Sequence, residues 1–519
     1  MARKHGAAGI GRLSATGLEG LAGARPIIAR VNRFLSSLLL ALAIALPACA
    51  QGPSREALPP PVAAALARAE VPATAFAAVV VPLDGHEARV RHQSGMPVNP
   101  ASVMKLVTSY AAFDLLGPGY TWSTRFYTDG PLEAGALRGN LYVRGGGDPK
   151  FVLERIQEAF AALQAQGVQL ILGDMVLDSS AFDLPPYDPG AFDGEALRPY
   201  NAGPDALLVN FKSVVLSFLP DAAAGVARVV SEPPLAGLAI DASVPLSNGA
   251  CGDWRGGLRA RFDDPGRIAF QGRYPLRCGE QKWPVAYQDP ASFAARAMEG
   301  LWRAGGGLLT GQVRAGLTPL DAKLLLDAPS LPLADILTDV NQWSNNVMAQ
   351  QVFLTLGQLA PQATALPGSG PLPWKRSGFE QARTVLGNWW RRTFGERVPA
   401  PVIQNGSGLS RDERITPEAL ALLLRHAARH PQADAFVGTL SLAGVTGTAR
   451  RYAADERSPV YGHAWLKTGT LRDVTGVAGY VNAANGVRYV VVAFVNHPNA
   501  PAARPALEAL VEWTARLAD

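Results

Sequence analysis

Cysteine and charge are scarce in this sequence of 519 residues, which has three cysteines and 18% charged residues. So little charge excludes a coiled coil, and the 53 glycines and 41 prolines favour a loop-rich globular protein. No apolar run reaches the roughly 18 to 20 residues that a membrane-spanning helix needs. The length and the 48% hydrophobic content predict two or three domains.

The excess of positive charge is confined to the N-terminus. The net charge is +5, but residues 1–50 contain six basic residues and one acidic residue, which leaves 42 of each sign in the rest of the chain. A neutral chain does not provide the basic surface that binds a phosphate backbone. We therefore expect no nucleic-acid partner.

The N-terminal segment has the pattern of an export signal. An apolar run of 13 residues, Phe34–Leu46, follows Arg30 and Arg33 and precedes small residues around Cys49. This order is typical of a signal peptide, so we expect residues 1–50 to be a leader and the mature protein to reach the periplasm. Lipid attachment at Cys49 is the alternative. No membrane-spanning segment is expected after cleavage of the leader.

The other two cysteines, Cys251 and Cys278, remain as a pair if Cys49 leaves with the leader. Disulfides persist in the oxidising compartment to which a signal peptide leads, so we expect the two to be bridged. Closing their loop of 27 residues would stabilise the fold by about 2–4 kcal/mol. Two buried free thiols are the alternative.

Both ends of the chain are predicted to build one antiparallel sheet with flanking helices. Residues 51–61 are polar and proline-rich and suit a linker. Apolar runs bounded by turn residues predict strands, and apolar periodicity ended by Gly or Pro predicts helices. The expected strands are Ala75–Leu83, Glu87–His92, Trp465–Thr470, Gly476–Asn482 and Arg488–Asn496, and the expected helices are Ser102–Leu116 and Ala502–Leu517.

The middle of the chain differs in composition. Residues 122–319 contain short β-like segments with many Gly and Pro, which we interpret as one or two small inserted domains. Helical spacing returns at Leu331–Leu356 and at Thr416–Arg429. The predicted organisation is an α/β protein in which residues 62–121 and 320–519 form one discontinuous domain around a β-rich insertion.

The first candidate catalytic pair is Ser102 and Lys105, three residues apart at the start of a predicted helix. This spacing places both side chains on one face. A serine hydroxyl needs a base, and a buried amine with a lowered pKa can serve, whereas arginine does not deprotonate. Lys105 is one of eight lysines in a chain with 40 arginines. Alone, the motif is equally a capping serine followed by a surface lysine.

The second candidate motif is Ser344-Asn345-Asn346, in a run of helical character, Thr338–Gln350. The hydroxyl of Ser344 and the amide of Asn346 could relay a proton and bind a substrate carbonyl. Alone, the motif is an ordinary turn or helix start.

The third candidate motif is Lys467-Thr468-Gly469-Thr470, on a predicted strand near the C-terminus. Lys467 and Thr468 could hold the terminal carboxylate of a substrate, and Gly469 would let a peptide approach the strand. Alone, the motif is a solvated edge strand.

Taken together, Ser-x-x-Lys on a helix, Ser-x-Asn in a helical region and Lys-Thr-Gly on a strand form the signature of penicillin-recognising enzymes. Residues 56–519 thereby resemble the D-alanyl-D-alanine carboxypeptidases/endopeptidases of the low-molecular-mass class C penicillin-binding proteins. The 242 residues from Ser102 to Ser344 fit that family's inserted pair of small domains and exceed the spacing in class A β-lactamases. Further similar segments are Gly139–Tyr142, Gly145–Pro149, Asn405–Arg411 and Leu440–Gly444, although Asn405 and Asn345 stand where Asp is usual in the family.

The resemblance implies a penicillin-binding or serine β-lactamase-like transpeptidase domain, with an antiparallel sheet flanked by helices. It implies Ser102 as the acylated nucleophile, Lys105 as its base, and Ser344 and Asn346 as proton relay and substrate contact. It also implies Lys467 and Thr468 as the carboxylate site, with an oxyanion hole formed by the backbone N–H groups of Ser102 and Thr470. Arg411 and Asp193 align with positions that contact the substrate's side chain, and surface ion pairs are the alternative for these two.

The expected function is that of a periplasmic serine-type D-Ala-D-Ala carboxypeptidase acting on peptidoglycan stem peptides, with DD-endopeptidase activity left open and β-lactams as covalent inhibitors. No cofactor is implied, since His426 and His430 lack an adjacent Glu and a third ligand. A β-lactamase is one alternative, but no Glu-x-x-Leu-Asn deacylation motif occurs between Ser102 and Lys467. A non-catalytic peptidoglycan-binding protein is the other, and intact motifs disfavour it. The oligomeric state stays open.

Overall fold

The structure is a computed structural model, and it describes residues 56–84, 87–360, 376–453 and 455–518. The predicted leader, with Cys49, and the first part of the predicted linker lie outside these residues and stay predictions. Among the described residues, no helix combines the length and the apolar character needed to cross a membrane.

The described ranges contain eleven α-helices and 23 β-strands. The helices are α1 Pro60–Arg68, α2 Lys105–Leu116, α3 Leu153–Ala165, α4 Trp254–Leu258, α5 Pro290–Ala304, α6 Leu333–Gln342, α7 Asn346–Gly357, α8 Phe379–Phe394, α9 Pro417–Ala427, α10 Ala433–Gly438 and α11 Arg504–Ala515. The strands are β1 Phe76–Pro82, β2 Val90–His92, β3 Ser123–Thr128, β4 Leu132–Glu133, β5 Ala136–Leu137, β6 Leu141–Arg144, β7 Leu170–Ile171, β8 Met175–Asp178, β9 Ser213–Asp221, β10 Val226–Glu232, β11 Ala239–Ile240, β12 Ser243–Ser247, β13 Ala260–Asp264, β14 Arg267–Phe270, β15 Tyr274–Pro275, β16 Gln281–Ala286, β17 Leu308–Leu309, β18 Val313–Ala315, β19 Lys323–Pro329, β20 Ser441–Leu442, β21 Ala464–Leu471, β22 Val474–Asn482 and β23 Arg488–Asn496.

The central sheet has six antiparallel strands in the order β2-β1-β23-β22-β21-β20. The N-terminal strand β1 pairs with β23, with Val80 opposite Val491. The prediction that both chain ends build one antiparallel sheet is therefore confirmed. The third motif lies on β21, between β22 and the edge strand β20.

Helices cover both faces of the central sheet. On β1, Val79 and Val81 pack into a core shared with α2 and with α6 through α10, whereas Ala78 and Val80 pack into a second core shared with α1 and α11. Successive strand residues point to opposite faces, so burial of both faces requires an uninterrupted apolar run. The runs FAAVVVP and YVVVAFV meet this requirement, which is why these segments form the centre of the sheet.

The segment between α2 and α6 forms four smaller sheets with a core of its own. Helices α3 and α5 pack together there, with the rings of Phe160 and Trp302 in edge-to-face contact at 5.2 Å. The predicted disulfide joins Cys251 and Cys278 in this region. Because β19 pairs antiparallel with β3, we propose that the insertion extends to Pro329, ten residues or so beyond the predicted boundary at residue 319.

Three predicted helices differ in detail from the observed ones. The helix predicted at Ser102–Leu116 begins with a 3₁₀ turn, Ala101–Met104, before α2. The helix at the C-terminus likewise begins with a 3₁₀ turn, Ala500–Ala503, before α11. The periodic run Leu331–Leu356 is two helices, α6 and α7, interrupted at Ser344, whose φ of +60° is incompatible with a right-handed helix.

Candidate active site

A buried asparagine fixes the turn that carries Ser102. The side chain of Asn99 accepts from the backbone N–H of Ala101 at 2.8 Å and donates to the carbonyl of Ser410 at 2.9 Å. Asn496 on β23 accepts from the backbone N–H of Asn99 at 2.8 Å. Ala101 adopts a φ of +48°, which costs energy in a residue other than glycine and persists only where the surroundings impose it. The strained turn presents Ser102 at the start of the helical segment.

Two glycines allow other segments to approach this turn closely. A Cβ atom on Gly469 of β21 would lie 2.7 Å from the carbonyl of Pro100 and 3.1 Å from the backbone nitrogen of Ser102. A Cβ on Gly408, whose φ is +81°, would lie 2.0 Å from the carbonyl of Ala101. The segment that approaches Gly469 closely is therefore the turn that carries Ser102. The sequence did not predict this contact.

The amine of Lys105 is fully buried and touches three oxygens. Its Nζ lies 3.0 Å from Ser102 Oγ, 2.6 Å from Asn346 Oδ1 and 2.5 Å from the carbonyl of Ser407. A neutral amine has two N–H donors and one lone pair. When the two carbonyl oxygens take the two donors, the lone pair is left for the hydroxyl of Ser102. This arrangement suits an amine that removes the proton of Ser102.

Burial of Lys105 lowers its pKa well below the usual value for lysine. The removal of the ammonium from water is the largest cause, the positive charge of Lys467 adds to it, and the negative charge of Glu413 opposes it. A lowered pKa increases the fraction of neutral amine at neutral pH, which is the form that can act as a base.

The Ser344 motif lies in the break between α6 and α7. The side chain of Asn345 accepts from the backbone N–H of Met348 at 3.1 Å and so caps α7. Aspartate, the usual residue in the resembling family, caps a helix equally well, so this departure changes no contact that the cap requires. Asn346 donates from Nδ2 to the carbonyl of Tyr200 at 3.0 Å, which ties the insertion to the motif.

The Lys467 motif lies next to Ser344. Lys467 is fully buried, and its Nζ donates to Ser344 Oγ at 2.9 Å and to the carbonyl of Thr468 at 2.8 Å. Burial lowers the pKa of Lys467 to about 7, and the positive charge of Arg451 contributes. Thr468 donates from its hydroxyl to that of Thr448 at 2.9 Å. Thr448 follows the segment Leu440–Gly444 and was not predicted.

The segment that supplies the Ser407 carbonyl is a compact turn. Asn405 accepts through Oδ1 from the backbone and hydroxyl of Ser407, at 2.9 and 2.7 Å, and donates from Nδ2 to the carbonyl of Leu409 at 3.1 Å. An aspartate would reproduce the two accepted bonds but could not donate the third. The asparagine at this position is therefore compatible with the turn and adds one hydrogen bond to it.

A cleft of about 450 Å³ opens over these motifs. Lys105, Lys467, Thr468 and Gly469 are buried and do not line the cleft. The predicted site residues that line the cleft are Ser102, Asp193, Ser344, Asn346, Arg411 and Thr470.

The two residues with the looser alignment, Arg411 and Asp193, lie at the rim of the cleft and already have partners. Arg411 donates to Asp473 at 2.7 Å and stacks on the ring of Phe192 at 4.8 Å. Asp193 accepts from the hydroxyl of Tyr200 at 2.8 Å and from Asn201 at 2.7 Å. A substrate side chain would therefore have to compete with, or add to, these contacts.

Comparisons with known proteins extend over nearly all of the described chain. The D-Ala-D-Ala carboxypeptidase 3 (S13) family profile matches residues 60–517. The chain is 25% identical over 396 residues to the D-alanyl-D-alanine carboxypeptidase DacB of Haemophilus influenzae, covering 76% of this chain and 80% of the relative. It is 28% identical over 429 residues to the D-alanyl-D-alanine carboxypeptidase of an Actinomadura species, covering 79% and 75%.

Among solved structures, the chain is similar to penicillin binding protein 4 (dacB) from Haemophilus influenzae. The TM-score is 0.66 at 22% identity, and the match covers 84% of this chain and 96% of the other. This similarity confirms the predicted fold class, a penicillin-binding fold with additional inserted structure.

Proposed function

The chain belongs to the D-Ala-D-Ala carboxypeptidase 3 (S13) family and is a serine-type D-Ala-D-Ala carboxypeptidase, and we propose that it cleaves peptidoglycan stem peptides through an acyl-enzyme at Ser102. The family match and the two relatives confirm the carboxypeptidase activity that the three motifs predict. The observation that supports the proposed nucleophile is the contact of Lys105 Nζ with Ser102 Oγ at 3.0 Å, beside two carbonyl acceptors.

In the proposed acylation step, the neutral amine of Lys105 takes the proton of Ser102 as Oγ attacks the carbonyl of the penultimate D-alanine. A bond forms between Oγ and this carbon, and the bond to the terminal D-alanine nitrogen breaks. The leaving nitrogen needs a proton, and Ser344 Oγ, 2.9 Å from Lys467 Nζ, is placed to deliver one. Water then hydrolyses the ester, so that Ser102 takes back the proton held by Lys105 and the second proton of the water restores Ser344.

We assign substrate recognition to groups around the same cleft. The terminal carboxylate lies towards Lys467 and Thr468, where a positive charge and a hydroxyl favour an anion. Because Lys467 has a pKa of about 7, binding of the carboxylate would raise that pKa and keep the ammonium charged. The backbone N–H groups of Ser102 and Thr470 form the oxyanion hole, and Arg411 and Asp193 contact the side chain of the stem peptide.

The predicted leader indicates the compartment of the protein, and the acylation of Ser102 indicates which inhibitors it binds. We propose that residues 1–50 direct export to the periplasm, where peptidoglycan is accessible. β-Lactams resemble the D-Ala-D-Ala terminus, so they would acylate Ser102 and remain attached.

A DD-endopeptidase activity is the second candidate. A cavity of about 590 Å³, lined by Arg255 and Trp283, shares Glu195 and Tyr200 with the catalytic cleft. A cross-linked substrate carries a second stem peptide beyond the bond that is cut, whereas a carboxypeptidase substrate carries only one D-alanine there. The adjoining cavity provides room for part of that second peptide.

The test of the proposed function is the release of D-alanine by the purified protein and by its Ser102→Ala variant. The substrates are a peptide ending in D-Ala-D-Ala and a matched peptide ending in D-Ala-L-Ala. We expect release from the first peptide only, and none with the variant. Release that persists in Ser102→Ala would contradict the assignment of the nucleophile.

A further inference from the structure

Glu413 is a buried acid that the steps above do not use. It lies two residues beyond Arg411, and its side chain is fully buried. Its Oε1 accepts from the backbone N–H groups of Gln404 and Asn405 at 3.0 and 3.3 Å. Its Oε2 is buried, and the backbone N–H of Gly406 also stabilises the carboxylate. A carboxyl group in this setting is costly to keep, so its presence calls for a role.

The backbone that Glu413 holds is the one that contacts the catalytic amine. The turn 404–407 is tied to α2 at two points, since Thr108 donates to the carbonyl of Gly406 at 2.7 Å and Lys105 donates to that of Ser407 at 2.5 Å. On its far side, Glu413 binds the first two N–H groups of the turn. The carboxyl group therefore fixes the position of the Ser407 carbonyl relative to α2.

We propose that Glu413 is a positioning residue for acylation, which holds the Ser407 carbonyl against the Lys105 amine. The negative charge of Glu413 has a second effect, because an anion near the amine favours the ammonium. This inference rests on the proposed function, because it assumes that Lys105 is the base for Ser102. The two effects are separable, since a glutamine can keep the accepted hydrogen bonds without the charge.

The charges around the pair determine the direction of the effect. Burial raises the pKa of Glu413 to about 7, while the backbone N–H groups and the charge of Lys105 oppose this rise. Lys467 on β21 lowers the pKa of Lys105 and Glu413 raises it. Other charged groups nearby are Arg383 on α8, which donates to the carbonyl of Gln404, and Arg411, Asp412 and Arg414 on the same segment as Glu413.

Loss of the charge at position 413 should shift the pH dependence of acylation to lower pH. Acylation requires neutral Lys105, and a nearby anion stabilises the ammonium, so its removal lowers the pH at which the amine becomes neutral. In the wild type the amine and the carboxyl group titrate as a coupled pair, and the acid limb of the profile is spread over two ionisations. Without the carboxyl group, the limb should depend on one ionisation fewer.

The experiment measures the second-order rate of acylation by a fluorescent penicillin from pH 5.5 to 9 for wild type, Glu413→Gln, Glu413→Ala and Asp412→Asn. We expect the acid limb of Glu413→Gln to move down by about 0.5–1 pH unit. Glu413→Ala loses the clamp as well, and its rate should fall about tenfold or more at every pH. Asp412→Asn removes an exposed neighbouring charge and should keep the wild-type profile.

Two outcomes in the variants would overturn the inference. One is a wild-type acid limb in Glu413→Gln, and the second is an equal shift in Asp412→Asn. Should Glu413→Ala fail to fold, judged by its melting temperature, the near-isosteric Glu413→Gln decides alone. A wild type that is not acylated at any pH would instead refute the proposed function, and the inference with it.

Discussion

Two buried lysines, Lys105 and Lys467, lie behind the serines that line the cleft. Burial lowers the pKa of both amines. An amine in such a setting can exchange a proton near neutral pH, whereas a guanidinium stays charged. The chain contains 40 arginines and eight lysines, so the two lysines at these positions reflect a chemical requirement more than composition.

Replacement of Lys105 by arginine tests this requirement. Lys105→Arg keeps a positive charge and long side chain but cannot supply a lone pair to Ser102. We expect acylation by fluorescent penicillin to slow about 10²–10⁴-fold, the range for loss of a general base. Lys150→Arg, which alters a lysine that pairs with Asp339 at 2.5 Å and does not line the cleft, should acylate at the wild-type rate. Acylation by Lys105→Arg within a few-fold of wild type would exclude Lys105 as the base.

At the residue scale, the motifs predicted side chains that lie together, and the catalytic roles of these side chains stay proposals. Ser102, Ser344 and Asn346 were predicted from motifs, and the structure brings them to one cleft. The carbonyl groups of Ser407 and Tyr200 were missed because every residue has a carbonyl, so its use leaves no trace in the sequence. Glu413 was missed because a lone acid in a polar segment gives no sign of being buried.

At the scale of elements, the catalytic turn depends on how closely neighbouring segments approach it. The turn before α2 packs against β21 at Gly469 and against the 404–411 segment at Gly408. Periodicity predicted the helix and the strand but not these contacts, which arise from tertiary packing. The same limit explains Ser344, where apolar spacing continues across a break that only the backbone geometry reveals.

Substitution of Gly408 by alanine tests the close approach. Gly408→Ala would place a Cβ 2.0 Å from the carbonyl of Ala101, and Gly462→Ala is a matched control because Gly462 also has positive φ, +70°, but open space around it. Both should lose about 1–2 kcal/mol from the backbone conformation alone. Only Gly408→Ala should also lose most of its acylation rate, because Ser102 is displaced. Equal acylation rates in the two variants would show that the contact is unimportant.

At the scale of the whole molecule, the two ends of the chain enclose the insertion. The pairing of β1 with β23 joins the two ends of the chain in the central sheet. The insertion contributes Tyr200 and Asp193 to the site. The sheet was predictable because its strands are continuous apolar runs. The boundaries of the insertion were harder to predict because its strands are short and its sheets pair segments distant in sequence.

Removal of the disulfide tests how far the insertion and the catalytic cleft depend on each other. The double substitution Cys251→Ser and Cys278→Ser opens a loop of 27 residues. We expect the free energy of unfolding to fall by about 2–4 kcal/mol, measured by urea denaturation. D-Alanine release at 25 °C should stay at the wild-type rate because neither cysteine lines the cleft. A large loss of activity in a folded variant would show that the bridge shapes the site.

The most direct test of the central claim is to find the residue that penicillin labels. The purified protein and its Ser102→Ala variant are incubated with fluorescent penicillin, and the labelled peptide is mapped by mass spectrometry. We expect a label on Ser102 that persists for minutes or longer and is absent from the variant. A label on another residue, rapid loss of label with turnover of the drug, or no label on the folded protein would contradict it.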